Sequence, residues 1–300
     1  MTHHWGYMGA ISSALLFGIG ATLNKIVLAD VHPTIVAGLI YLFAGLALSI
    51  VRFSPLRNRV MAVLETPTKT ETKISRKDFG ILALVVLSGS TIAPLLFLNG
   101  LNQTTAINAS LLQNTESLFT VLIALLFLKE KACRKDWVGI LFLFVGVLFL
   151  TTNGEFYRVT LTSFFGNVLI VTACVFWGVD NNLSRFLSKK EDLILITVMK
   201  CLAGGTFLLL LSWALGLKFQ IPLFAFPYLI SAGAFSIGFS ILFFLLGLRE
   251  IGAMKTSVIF STSSLFGAAF AFIMLRENFS FIQLLAGLVM LLGVYIIYKR

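Results

Sequence analysis

The sequence predicts an all-α integral membrane protein whose ten transmembrane helices form two inverted five-helix repeats. Three observations carry that expectation: ten long apolar stretches, basic residues crowded into alternate loops, and a pattern that recurs between the two halves. A bilayer core of about 30 Å takes roughly twenty mostly apolar residues at 1.5 Å rise each. Barrel strands alternate and run only about ten residues, so they do not fit these stretches. Hydrophobic residues make up 58% of the chain and charged ones 12%, about half the charged share of a soluble domain.

Spans 1 and 2 cover 5–28 and 33–52. Span 1 is too long for a signal-peptide core and lacks a basic flank, so it reads as a retained helix. Its Ser13, Phe17, Gly20 and Asn24 share one face, and Lys25 near its end is expected to snorkel to the interface as an anchor. Residues 53–78 hold Pro55, Pro67 and much of the charge with little apolar periodicity, which marks a connector. Span 3 (79–101) carries Asn99 near its end. Span 4 (106–128) carries a polar stripe of Ser110, Gln113, Glu116, Ser117 and Thr120. Span 5 (136–152) closes the first unit, and 153–162 links it to the second. Span 6 (163–187) has Cys174, Trp177, Asp180, Asn181 and Ser184 on one face, and span 7 (192–216) contains Lys200. Spans 8, 9 and 10 cover 226–248, 254–275 and 280–298, with Ser257, Ser261 and Ser264 along span 9.

With the N-terminus in the cytoplasm, the loop after span 2 holds Arg52, Arg57, Arg59, Lys69, Lys73, Arg76 and Lys77. The loop after span 4 holds Lys129, Lys131, Arg134 and Lys135. This positive-inside asymmetry places both termini in the cytoplasm of a plasma-membrane protein. The net charge of +10 therefore reads as orientation and affinity for anionic lipid rather than for nucleic acid. Cys133, Cys174 and Cys201 suggest no disulfide framework, and His3 and His4 form no metal pattern. Phosphate loop, His-Glu-x-x-His, Cys-x-x-Cys and nucleophile-elbow motifs are absent from the sequence. The expectation is a non-enzyme with no cofactor and no metal, driven by gradients or by a partner.

Sliding 100–150 onto 247–297, an offset of about 147, aligns Gly100 with Gly247, Ser110 with Ser257 and Thr115 with Thr262. It also aligns Ser117-Leu-Phe119 with Ser264-Leu-Phe266, and Leu128-Lys-Glu130 with Leu275-Arg-Glu277. Upstream the offset is about 160: Phe17-Gly18, Leu23 and Lys25 face Trp177-Gly178, Leu183 and Arg185. The chain thus reads as units 1–152 and 163–300 around the connector 153–162. Five spans per unit is odd, so the second copy is inverted, the design of alternating-access transporters.

An ionisable group inside a span costs roughly 2.5–3.5 kcal/mol on the insertion scale and is a site hypothesis by default. Glu116 lies near the middle of span 4 without an obvious partner. Asp180 and Lys200 come out at similar depth in consecutive helices, so an ion pair between them is geometrically natural, as structural pin or as working part. Asn181, Trp177, Phe17, Gln113, Asn24, Asn99 and Ser261 complete the candidate substrate-binding or coupling set. Polar stripes and aromatic positions also serve plain helix packing. A lone carboxylate that exchanges a proton on either side would make protons the coupling ion.

The five-plus-five arrangement, with Leu128-Lys-Glu130 and Leu275-Arg-Glu277 closing spans 4 and 9 and with Phe17-Gly18 and Trp177-Gly178 in the first helix of each unit, resembles the EamA family of the drug/metabolite transporter superfamily. Ser117, Ser264 and Tyr41 stand where many relatives carry Pro, Pro and Arg. The resemblance implies a transporter of small organic metabolites such as amino-acid-like solutes, often an exporter, with a central cavity lined by spans 1, 3, 4, 6, 8 and 9. The expected partners are a small-molecule substrate and membrane lipid, in a monomer or homodimer. The competing expectation is a membrane scaffold or lipid-interacting protein. A solvent-connected cavity touching Glu116 argues for transport, and a solid core argues for the scaffold.

Overall fold

The computed structural model describes residues 4–55, 75–127, 134–152, 161–187 and 193–298, and among these it is helical with no strand. Most of the 53–78 connector, Leu128-Lys-Glu130, Cys133 and residues 153–160 lie outside the described residues. The helices are α1 (His4–Val27), α2 (Pro33–Phe53), α3 (Arg76–Leu87), α4 (Ala93–Gln103), α5 (Ala106–Leu112), α6 (Thr115–Phe127) and α7 (Arg134–Thr152). They continue as α8 (Leu161–Leu187), α9 (Leu193–Ala214), α10 (Ala225–Ser231), α11 (Ser240–Ser261), α12 (Ser263–Leu275) and α13 (Phe281–Tyr298). Two π-helical segments, π1 (Ser88–Ile92) and π2 (Ala232–Phe239), join α3 to α4 and α10 to α11. Among the described residues, eight helical stretches are long and apolar enough to cross a membrane, and Phe281–Ile297 is a shorter apolar helix.

Local chemistry sets the ends. Pro33 opens α2, where its missing N–H is no loss. Ser75 and Asp78 form a capping box on α3. Thr105 accepts from the Asn108 N–H at 3.1 Å to start α5. Arg276, left-handed at φ 55°, stops α12. Helical bonding runs unbroken through Ser240–Ser261, yet the Phe244 and Phe260 rings lie 4.9 Å apart. A straight helix would separate them by about 24 Å. The chain therefore turns back within α11, consistent with the reversal expected between 248 and 254.

The packing partners fall into two sets. Helix α1 lies against α11, π2 and α12, while α8 lies against α4, π1 and α6. Three further pairs, α2 with α9, α5 with α12 and α7 with α13, tie the sets together. Small residues allow the closest approaches. A Cβ on Gly45 would come within 2.6 Å of Leu202 Cδ2, and one on Gly205 within 2.6 Å of the Leu42 backbone nitrogen, so α2 and α9 pack reciprocally. Between α1 and α11 the serines exchange bonds: Ser13 Oγ donates to the Ser240 carbonyl at 2.7 Å, and Ser240 Oγ to the Ser13 carbonyl at 3.0 Å. Helix α1 starts beside one terminus and α13 ends beside the other. The opposite end of the bundle carries the turns after α1, α4 and α12.

Candidate functional site

The expected fourth span is broken. Helix α5 ends at Leu112 and α6 begins at Thr115, with tight backbone bonds from Asn114 to Leu111 and from Glu116 to Gln113 bridging the gap. Glu116 consequently sits in the first turn of a new helix, where the positive end of the α6 dipole favours a carboxylate. A matching break falls at Thr262, between α11 and α12. The breaks touch through Asn114 Nδ2, which donates to Ser264 Oγ at 2.8 Å. Cys174, fully buried on α8, lies with Sγ 3.8 Å from the Leu112 carbonyl.

Helix α8 brings the rest. Asn181 Nδ2 donates to Glu116 Oε1 at 2.7 Å and to Thr120 Oγ1 at 3.2 Å. Glu116 therefore has a partner that its place in the sequence did not reveal, because residues 65 positions apart meet only across the packed bundle. Asp180, one position earlier and buried, pairs with Lys200 of α9 and accepts from Ser184 Oγ at 2.9 Å. Counting full charges, Lys200 offsets Asp180, and Glu116 has only neutral donors beside it in this cluster.

The π1 segment fixes the floor of the cluster. Ala93 N–H bonds the Ser88 carbonyl in the wide register, and the next donor in that register would be residue 94, reaching Gly89. Residue 94 is proline and has no N–H. The freed Gly89 carbonyl instead accepts from Tyr41 Oη at 3.1 Å and from Trp177 Nε1 at 3.2 Å. Gly89 itself lies against Asp180: an added Cβ would stand 2.7 Å from Asp180 Cβ. Tyr41, Gly89 and Pro94 are absent from the sequence-derived set. The one available signal was a proline inside an otherwise uninterrupted span. Tyr41→Phe is expected to lower the thermal midpoint by an amount equivalent to about 1 kcal/mol, since Trp177 still serves the carbonyl; a calorimetric or fluorescence melt checks it.

Glu116, Asp180, Asn181, Lys200 and Trp177 thus gather in one cluster, and Gln113 stands half-buried at the break one turn before Glu116. The others have different partners. Phe17 packs on Phe260 at 5.0 Å. Asn99 Nδ2 donates to the Leu95 carbonyl of its own helix. Ser261 Oγ donates to the Val258 carbonyl. Asn24 is buried with its Oδ1 unbonded. Lys25 Nζ donates to the Leu101 and Thr104 carbonyls at 2.6 and 2.7 Å, with the Asn102 carbonyl at 3.4 Å, at the end of α4. A cavity of about 630 Å³ lies between α6, α7 and α8, with an apolar lining that includes Leu118, Phe119, Trp137 and Phe144 and reaches Thr115. It lies on spans 4, 5 and 6, and Glu116 does not line it.

Long apolar helices, breaks at mid-helix and a polar cluster set among the helices are features of a multi-pass membrane protein of the transporter class. The chain belongs to the EamA-like transporter family, whose pattern matches residues 4–152 and 164–299. It is 43% identical over 299 residues to an uncharacterized transporter of Methanothermobacter thermautotrophicus, covering 99% of this chain and 87% of that one. An uncharacterized transporter of Bacillus subtilis, YyaM, is 26% identical over 206 residues, 67% of each chain. A solved crystal structure superposes with a TM-score of 0.68 at 14% identity, covering 97% of this chain and 95% of the other, which shows a shared fold.

Proposed function

We propose that this protein is a secondary active transporter that moves a small organic metabolite, amino-acid-like in size and polarity, by alternating access between two inverted five-helix units. On this reading ten helices span the plasma membrane with both termini in the cytoplasm, and the direction is export. Support for the repeat comes from exchange of the halves: α1 with α11 and α12 answers α8 with α4 and α6, and π1 answers π2 at the offset of about 147. Support for transport comes chiefly from one observation. Glu116 lies at a helix break, the irregular backbone that membrane proteins tolerate where it serves a cavity or is buried in protein. In this reading Glu116 exchanges a proton as the halves rock, Asn181 orients its carboxyl, and the Asp180–Lys200 pair keeps α8 and α9 moving together. Asn181 is exposed and Glu116 half-buried in this structure, and on this reading the chamber deepens between the two sets of helices as they part.

The test begins with a thermal-shift screen of the purified protein against amino acids, nucleosides, sugars and polyamines. Any stabilising compound then goes into proteoliposomes with a pyranine-reported proton gradient. Gradient-driven flux that falls at least about tenfold in Glu116→Gln supports the coupling role. Unchanged flux in a folded Glu116→Gln protein removes it.

A further inference from the structure

At the end of the bundle opposite the termini, two charged side chains bind backbone rather than each other. Lys25, on α1, reaches across to the C-terminal end of α4, where its Nζ takes the carbonyls of Leu101 (2.6 Å), Thr104 (2.7 Å) and Asn102 (3.4 Å). Glu277, in the turn after α12, places Oε1 2.8 Å from the Ala106 N–H and Oε2 2.9 Å from the Ile107 N–H, the opening donors of α5. The two groups thus grip one short turn, 104–105, from both sides. The cation takes the negative end of the helix before it, and the anion takes the positive end of the helix after it. Charge-assisted bonds of this kind are the stronger class. Gln283 Nε2 adds a buried bond to Asn108 Oδ1 at 2.8 Å, from α13.

What the grip joins gives it meaning. Lys25 and Glu277 belong to the α1, α11 and α12 set. The 104–105 turn follows α4, which packs with α8, and leads through α5, which packs on α12, to α6, which carries Glu116 and packs with α8. The same turn is fastened to α8 by Thr104 Oγ1, which donates to Asn167 Oδ1 at 2.7 Å. We propose that Lys25 and Glu277 form a latch that holds the two helix sets together at this end and must release for the chamber to open there. The proposal rests on the alternating-access reading and names the positioning residues of one of its gates.

Nitroxide labels at Asp30 and Leu161, both exposed at this end on opposite sets, report the opening by pulsed dipolar spectroscopy without any substrate. Lys25→Gln and Glu277→Gln should each raise the ratio of long to short distances about tenfold relative to the unaltered chain. Lys25→Arg, still a donor, should leave it within about twofold. The exchange Lys25→Glu with Glu277→Lys is the sharper control. A simple ion pair would be restored by it, while backbone carbonyls and N–H groups would then face like partial charges, so the latch stays broken. An unchanged distribution in folded Gln variants, or rescue by the exchange, overturns the latch. Failure of the transport reading would look different: the chamber would be reachable from one side only, whatever the state of Lys25 and Glu277.

Discussion

Asp180→Ala is expected to destabilise the folded protein by about 3–5 kcal/mol, because it strands the Lys200 ammonium inside the bundle. The Asp180 side chain is 7% exposed and that of Lys200 17%, so water compensates little of the loss. The ion pair itself is not expected to be worth that much. Desolvating both groups consumes most of their attraction, and a well-packed apolar pair would serve nearly as well. The double variant Asp180→Ala with Lys200→Met should therefore recover most of the stability lost by Asp180→Ala alone. Thermal unfolding of the four proteins in detergent forms the cycle. Recovery of fold without recovery of flux would separate a working role for the pair from a structural one.

Gly89→Ala is the second large effect. The new methyl would press on Asp180 at a distance that real Cβ contacts do not show, and α8 and π1 meet there backbone to side chain. Overpacking of this kind costs about 1–3 kcal/mol where neighbours can shift. Here the neighbour is an ion-paired residue, and the Gly89 carbonyl holds both Tyr41 and Trp177, so the upper part of that range is expected. The effect should be partly non-additive with Asp180→Ala, which removes the carboxyl group from the contact but leaves the Cβ 2.7 Å from the new methyl. A Gly89→Ala melt unchanged from the parent would mean that α8 does not approach π1 as described.

Hydropathy made the helical class and the long apolar segments legible, because lipid leaves the backbone few alternatives. Depth counting placed Asp180 beside Lys200, since a tight turn between consecutive helices constrains register. Contacts across the bundle were a different matter. Nothing local says that Asn181 answers Glu116, or that Lys25 caps the end of α4. Those partners are fixed by how one helix set leans on the other. The helix break at Gln113 and Asn114 was also hidden, because Gln113 continues a polar stripe at helical spacing from Ser110 to Thr120. The π turn was readable in principle from Pro94, whose missing N–H strands the Gly89 carbonyl.

The proposed mechanism stands on a polar chamber that water reaches from each face in turn. Asn181→Cys, in a background where Cys133, Cys174 and Cys201 are Ala, can be treated with a membrane-impermeant maleimide in right-side-out and in inside-out vesicles. The account predicts that the single thiol is alkylated to completion from either face, at different rates, and that releasing the far end with the Lys25→Gln substitution speeds reaction from that face. Alkylation from one face alone, or from neither in a folded protein, would contradict it.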